Sequence, residues 1–207
     1  TEALVGEEDN TRFTFSSDSL DVLTILGFRA VSLGNNHSSD FGTEGVRTSK
    51  EALENIGVTP FGAPGGSLVA RLTVGGVHFA LVSFNQFAKD SKEETERLVR
   101  EERAANTPVV VFAHWGEEYV GSPTEEMRIF ARRLVEAGAG LVIGAHPHVI
   151  GEREDYRGAR IYYSLGNFIF DQYFSDETRC GLILRVRFKQ AGITSIEERE
   201  VAMIAAG

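Results

Sequence analysis

Four of the five histidines in this 207-residue chain lie in three short polar clusters, and each cluster follows an apolar, strand-like run. Asn35-Asn36-His37 follows Ala30 to Leu33, His114-Trp115-Gly116 follows Val109 to Ala113, and His146-Pro147-His148 follows Leu141 to Gly144. Imidazole is the commonest protein metal ligand and the side chain best matched to proton transfer near neutral pH. In an open α/β sheet, ligands bind in the crevice beyond the carboxyl ends of the strands, on loops held by a rigid scaffold. Three histidine-bearing strand ends therefore predict one composite metal or acid–base site.

Residue types and spacing assign chemistry within that site. His146 and His148 are two apart. In an extended chain, which Pro147 favours, both rings point to one side, about 6–7 Å apart along the backbone. Each can then hold one ion of a pair, or both can share one ion. His114 gains weight from standing at the same kind of strand end, and Glu117, Glu118 and Tyr119 after it can orient it or meet substrate. Asn36 offers a neutral carbonyl oxygen as ligand, and His37 can give or take a proton. Asp40, three residues on, can fix the His37 tautomer and raise its pKa. The same segment also has the composition of a helix-capping loop. Ser164-Leu165-Gly166-Asn167-Phe168 ends a further strand, and Asn167 can line the same cleft. Trp115 and the many Phe and Val residues read as packing residues, and His78, inside a strand, as structural.

The elements that must position these residues alternate. Ser16, Ser17 or Asp18 can cap a helix through Leu20, Leu23 and Leu26 that stops at Gly27. A strand at Ala30 to Leu33 leads into the first cluster. Thr43 can cap a helix from about Glu44 to Ile56. Val58 to Phe61 is a strand, and Leu68 to Val74 with Val77 to Phe84 reads as a hairpin turning at Gly75-Gly76. A charged helix over Ser91 to Asn106 precedes the strand Val109 to Ala113, and a helix over Thr124 to Ala137 precedes the strand Leu141 to Gly144. From Val149 onward the pattern is β-rich, with strands at Gly151 to Tyr156, Arg160 to Ser164, Leu182 to Phe188 and Ile193 to Ala202. Alternating strands and helices followed by antiparallel strands predict an α/β layered sandwich with a mixed sheet.

Composition bounds the rest. The length suits one domain with a sizeable core. A net charge of −9 argues against nonspecific nucleic-acid binding. The single cysteine, Cys180, excludes an intrachain disulfide. No apolar run approaches the roughly 18 residues of a membrane span. The polar stretch Thr1 to Asn10 starts without an initiator methionine, as a trimmed or processed chain would.

In order and spacing these motifs resemble the CapA family of bacterial poly-γ-glutamate capsule synthesis proteins. The resemblance is carried by Val31-Ser32-Leu33-Gly34-Asn35-Asn36-His37-Ser38-Ser39-Asp40-Phe41-Gly42, by His114-Trp115-Gly116-Glu117-Glu118-Tyr119, by Gly144-Ala145-His146-Pro147-His148-Val149 and by Tyr163-Ser164-Leu165-Gly166-Asn167-Phe168. It spans roughly Phe13 to Arg187. It implies a calcineurin-like metallophosphatase αββα sandwich with mixed sheets, formed as one domain over residues 1–207, with 1–12 irregular. It implies that Asn36, His114 and His146 bind one metal, that His148 serves the neighbouring metal, and that His37 is the acid–base residue positioned by Asp40. Glu118 and Asn167 are the expected substrate contacts. The family opens with a strand carrying a Gly-Asp motif and continues with an Asn-x-Glu motif. Neither occurs before Phe13, so the expectation is a sheet without that first strand and a first metal without its aspartate.

Three functions follow. The first is a hydrolase using one or two divalent ions, with His37 protonating a leaving group from a phosphoester or a γ-glutamyl or peptide substrate. The mixed N/O ligand set points to Mn, Fe or Zn rather than Mg or Ca. The second keeps the site but moves a proton at a peptide Cα, as peptide epimerases that resemble this family do. The third is a non-enzymatic assembly or export subunit that binds the anionic polymer, for which Arg128, Arg132 and Arg133 on one helix can supply part of a basic face. The resemblance also implies a membrane synthase complex and an extracytoplasmic, membrane-associated setting.

Overall fold

The computed structural model describes residues 12–15, 19–88 and 90–203. The proposed caps Ser16, Ser17 and Asp18, and residues 1–11 of the segment 1–12 expected to be irregular, lie outside the described residues.

The scaffold is a six-stranded sheet in the order β3-β4-β5-β6-β8-β7, formed by β3 (Val69–Val74), β4 (Val77–Asn85), β5 (Val109–His114), β6 (Leu141–Ala145), β7 (Arg153–Tyr156) and β8 (Ala159–Tyr162). Strands β4, β5, β6 and β8 run parallel, and β3 and β7 pair antiparallel at the two edges. A parallel sheet covered on both faces needs strands that are apolar throughout, not alternating. Strand β5 shows why the sequence does this. Val109, Val111 and Ala113 join the core under the helices, while Val110 and Phe112 pack into the core on the opposite face.

Helices α3 (Lys92–Ala104) and α4 (Glu125–Ala137) cover the first face. Ser91 caps α3 by accepting from the Glu94 amide, and Thr124 caps α4 by accepting from the Met127 amide. Helix α4 buries Met127, Phe130, Ala131 and Leu134, one face of a 3.6-residue repeat. Helix α3 has little apolar surface and buries Glu96 and Glu102, which pair with Arg133 and Arg71. The second face is covered by two ribbons. One is the parallel pair β1 (Ala30–Ser32) and β2 (Thr59–Phe61), and the other the antiparallel pair β9 (Cys180–Lys189) and β10 (Gly192–Ala202). In β9, Leu182, Leu184, Val186 and Phe188 pack inward and Ile183, Arg185 and Arg187 alternate outward. Helix α2 (Gly42–Asn55) packs against β2, and α1 (Ser19–Ile25) buries none of its residues among the described ones. The layers are therefore helix, sheet, sheet, helix.

Two local expectations change. Helix α2 begins at Gly42, one residue before the predicted Thr43 cap, and its N-cap, Phe41, makes no side-chain cap bond. Asp40, the acidic residue best placed to cap it, is occupied by the His37 ring and the Phe13 amide. The His146-Pro147-His148 segment is not extended. His146 has φ +100° and His148 φ +60°, because the chain leaves β6 at Ala145 and the Pro147 carbonyl turns to accept from the Tyr119 amide at 2.7 Å.

Gly144 permits this turn to start where it does. A Cβ there would overlap the Tyr163 carbonyl oxygen and the Trp115 indole nitrogen, which itself donates to Tyr163 O at 3.0 Å. Neither neighbour can retreat, since one is backbone and the other is a fully buried ring. Gly144→Ala is expected to lower stability by about 2–3 kcal/mol, a fall in Tm of about 5–10 °C measured by thermal unfolding.

Candidate functional site

The parallel register sets Asn85 of β4, His114 of β5 and Ala145 of β6 side by side at the carboxyl end of the sheet. The loop after β1 reaches the same end. Its Asn35 carbonyl accepts from Asn85 Nδ2 at 2.8 Å, so a buried asparagine at one strand end holds the loop that carries Asn36 and His37. The three clusters meet there. The His114 and His146 ring centroids are 5.0 Å apart, and those of His146 and His148 are 6.1 Å apart. The last pair converges through left-handed backbone instead of an extended strand.

Two hydrogen-bonded rows orient the side chains. The first runs Asp40–His37–Asn36–His114. The Asp40 carboxylate lies 3.0 Å from His37 Nδ1, Asn36 Nδ2 lies 3.1 Å from His37 Nε2, and Asn36 Oδ1 lies 2.9 Å from His114 Nε2. A carboxylate only accepts, so His37 carries its proton on Nδ1 and presents a lone pair at Nε2. The second row centres on Asn167, which donates from Nδ2 to the Thr178 carbonyl at 2.9 Å. That bond turns Oδ1 toward His148 Nδ1, 2.8 Å away. His148 Nδ1 must then donate, leaving Nε2 as the free ligand atom, the arrangement that outer-shell partners impose on metal-ligating histidines. Asn167 is buried and its side chain is fully engaged by His148, Thr178 and Gln172.

The residues fit a divalent ion. Glu118, His146 and His148 each offer a ligand atom, and all of these atoms lie within 4.8 Å of one another. His146 Nδ1 is buried with no hydrogen-bond partner, an unpaired polar atom of the kind a ligand site explains. An ion held beside His146 would take the place of the proton that His114 Nε2 gives to Asn36 Oδ1, 2.9 Å away. Burial, then the neighbouring histidines, pushes His114 down to about 3, and burial also lowers His146 against the opposing pull of Glu118. Both rings are therefore neutral at pH 7, the form that binds metal.

The expected site residues thus gather at this end of the sheet, Asn167 through its bond to His148. Asn85, Phe87, Phe170 and Gln172 went unrecognised in the sequence. Phenylalanines expected in the core sit on the histidines instead. Phe13 meets His37 edge-on at 4.3 Å, Phe87 lies 4.3 Å from His146, and Phe170 stacks on His148 at 5.1 Å. Asn85 carried a usable signal, a polar residue at the end of the run Ala80 to Phe84, which is apolar but for Ser83. The aromatic residues carried none. Trp115 is a packing residue as expected, and His78 bonds Thr73 Oγ1 at 2.7 Å within the hairpin. Arg128, Arg132 and Arg133, which could have supplied part of a basic face, are engaged by Glu152, Glu154 and Glu96.

The family described as Bacterial capsule synthesis protein PGA_cap matches residues 2–172. The chain belongs to this family. The PGA biosynthesis protein CapA of Bacillus subtilis (strain 168) is 29% identical over 201 residues, covering 88% of this chain and 53% of its own. The capsule biosynthesis protein CapA of Bacillus anthracis is 29% identical over 187 residues, covering 80% and 46%. The chain thus spans about half the length of the curated relatives it matches. Among solved structures, a hypothetical protein from Thermus thermophilus superposes with a TM-score of 0.64 at 18% identity, over 93% of this chain and 83% of that one. The Thermus thermophilus sulfate thiohydrolase SoxB superposes with a TM-score of 0.59 at 14% identity, over 88% and 34%. This member of the capsule synthesis family has the metallophosphatase-like αββα fold.

The neutral His114 links this site to stability. Its folded form resists protonation, so the unfolded chain binds the proton first, and stability present above about pH 6.5 is lost as pH falls toward the folded value of about 3. In chelator-treated protein the loss from this group alone reaches about 2 kcal/mol by about pH 5. The Tm of the parent is expected to fall more steeply between about pH 7 and pH 5 than that of His114→Gln, and equal slopes would contradict the assignment.

Proposed function

We propose that the chain is a metal-dependent hydrolase of poly-γ-glutamate capsule synthesis, acting on a γ-glutamyl amide bond at the carboxyl end of the sheet. The observation that carries the reading is the convergence of Glu118, His146 and His148 ligand atoms within 4.8 Å, beside the Asp40–His37 pair. Family membership and the names of the Bacillus relatives support the polymer as substrate. The metallophosphatase-like fold supports a divalent ion, with phosphoesters as the competing substrate class.

Asn36, His114 and His146 would hold one ion, and His148 with Glu118 the neighbouring one. When bound, such an ion supplies Lewis-acid polarisation of the scissile group and lowers the pKa of water. The rest falls to the chain. Asp40 keeps the His37 proton on Nδ1, and His37 Nε2, part-exposed beside Asn36, is the nitrogen that exchanges a proton with the reacting group. Once protonated, it gives that proton to the leaving amine. Phe13 and Phe87 cover one side of the rings and limit water there. Arg128, Arg132 and Arg133 are each paired with a glutamate, which leaves that helix face less free positive charge to offer a polyanion.

Elemental analysis of the purified protein should find Mn, Fe or Zn at one or two per chain, lost in His146→Ala and His148→Ala. With γ-glutamyl-p-nitroanilide, His37→Gln should keep the metal and lose about 10²–10⁴-fold in kcat. Failure to take up any of these ions would overturn the reading. Turnover of bis-p-nitrophenyl phosphate alone would move it to a phosphoesterase, and solvent deuterium entering a peptide without cleavage would move it to an epimerase.

A further inference from the structure

Among the described residues, five non-glycine residues have positive φ, and three of them surround this site: His146, His148 and Tyr119, the last at φ +65°. Residues with a Cβ avoid this conformation unless their surroundings impose it, and such strain collects at functional sites. At Tyr119 the imposing contact is its amide, which donates to the Pro147 carbonyl at 2.7 Å and locks the loop after β5 onto the His-Pro-His turn. The side chain is then held at the mouth of the site, about half exposed, between His148 at 6.2 Å and Phe174 at 5.2 Å.

The direction of the hydrogen bonds says what the phenol is free to do. The Thr178 carbonyl fixes Asn167 Nδ2 as the donor, and the same Nδ2 donates to Gln172 Oε1 at 3.3 Å. Gln172 therefore turns its Nε2 to Tyr119 and donates to the hydroxyl oxygen at 3.3 Å. The phenol accepts one bond, so its own O–H remains to be given. Its neighbouring acceptor is Glu118, which also belongs to the group of candidate ion ligands. With that carboxylate held by an ion, the O–H would be left to donate to a ligand oxygen bound beside it.

We propose that Tyr119 is a substrate-binding residue whose hydroxyl donates to an oxyanion of the ligand bound beside Glu118, His146 and His148, with Gln172 as its positioning residue. The inference rests on the metal-dependent reading above. The oxyanion can be a phosphoryl group or a carboxylate of a γ-glutamyl chain, since both present the same acceptor.

The test is calorimetric titration of the Mn-loaded full chain with inorganic phosphate and, separately, with γ-glutamylglutamate, for the parent, Tyr119→Phe and Gln172→Met, with Mn content measured for each. Tyr119→Phe should keep its Mn and bind at least one probe about tenfold more weakly, the worth of one hydrogen bond to a charged acceptor. Gln172→Met should show a smaller loss on the same probe. A loss for phosphate alone assigns a phosphoryl group, and a loss for the dipeptide assigns a carboxylate. Parental affinity in Mn-loaded Tyr119→Phe for both probes, or no binding of either by the Mn-loaded parent, would overturn this inference and leave the hydrolase reading standing. A parent that takes up no Mn, Fe or Zn overturns both.

Discussion

At the carboxyl end of the sheet, each buried amide can be paired in only one direction. A carbonyl and a carboxylate cannot donate, so Thr178 and Asp40 act as fixed points from which every other donor is determined. From Thr178 the direction passes through Asn167 to the tautomer of His148 and, through Gln172, to the hydroxyl of Tyr119. From Asp40 it passes through His37 to Asn36 and His114. Buried polar groups left without partners are costly, so these rows do more than decorate the site. They keep ring nitrogens aimed before any ligand arrives.

Such orientation requires a scaffold that does not move. The parallel strands β4, β5 and β6 bury apolar residues on both faces, and their register brings Asn85, His114 and Ala145 level. The loops beyond them can then carry strain. His146, His148 and Tyr119 hold left-handed backbone because the 2.7 Å bond from Tyr119 to Pro147 and the tight packing at Gly144 leave the chain no other route. Stability from the sheet is what lets the turn keep a conformation that isolated residues would abandon.

Most of the scaffold was legible because it rests on periodicity and punctuation. The helix starts at Ser91 and Thr124 and the turn at Gly75-Gly76 are local signals, and the structure uses each as read. The three clusters were legible because each follows a buried strand. Long-range geometry was not. Nothing local in His146-Pro147-His148 announces a left-handed turn, since its cause lies in Tyr119 and Gly144. Gln172 and Phe170 gain their place only when the loop before β9 folds against His148. Asp40 serves His37 and not the start of α2, a competition between a cap and a dyad that sequence alone leaves undecided.

Position 36 shows why an amide, and not a carboxylate, belongs in the first row. Asn36 faces two imidazoles at once, donating from Nδ2 toward His37 and accepting at Oδ1 from His114. A carboxylate there has no donor, so it would lose the bond that satisfies the His37 Nε2 lone pair. It would also add a negative charge beside the buried His114 and work against the neutrality that burial imposes on that ring. Only a group with a donor on one end and an acceptor on the other joins His37 to His114 without charging either. One neutral side chain thereby ties the Asp40–His37 pair to the buried His114.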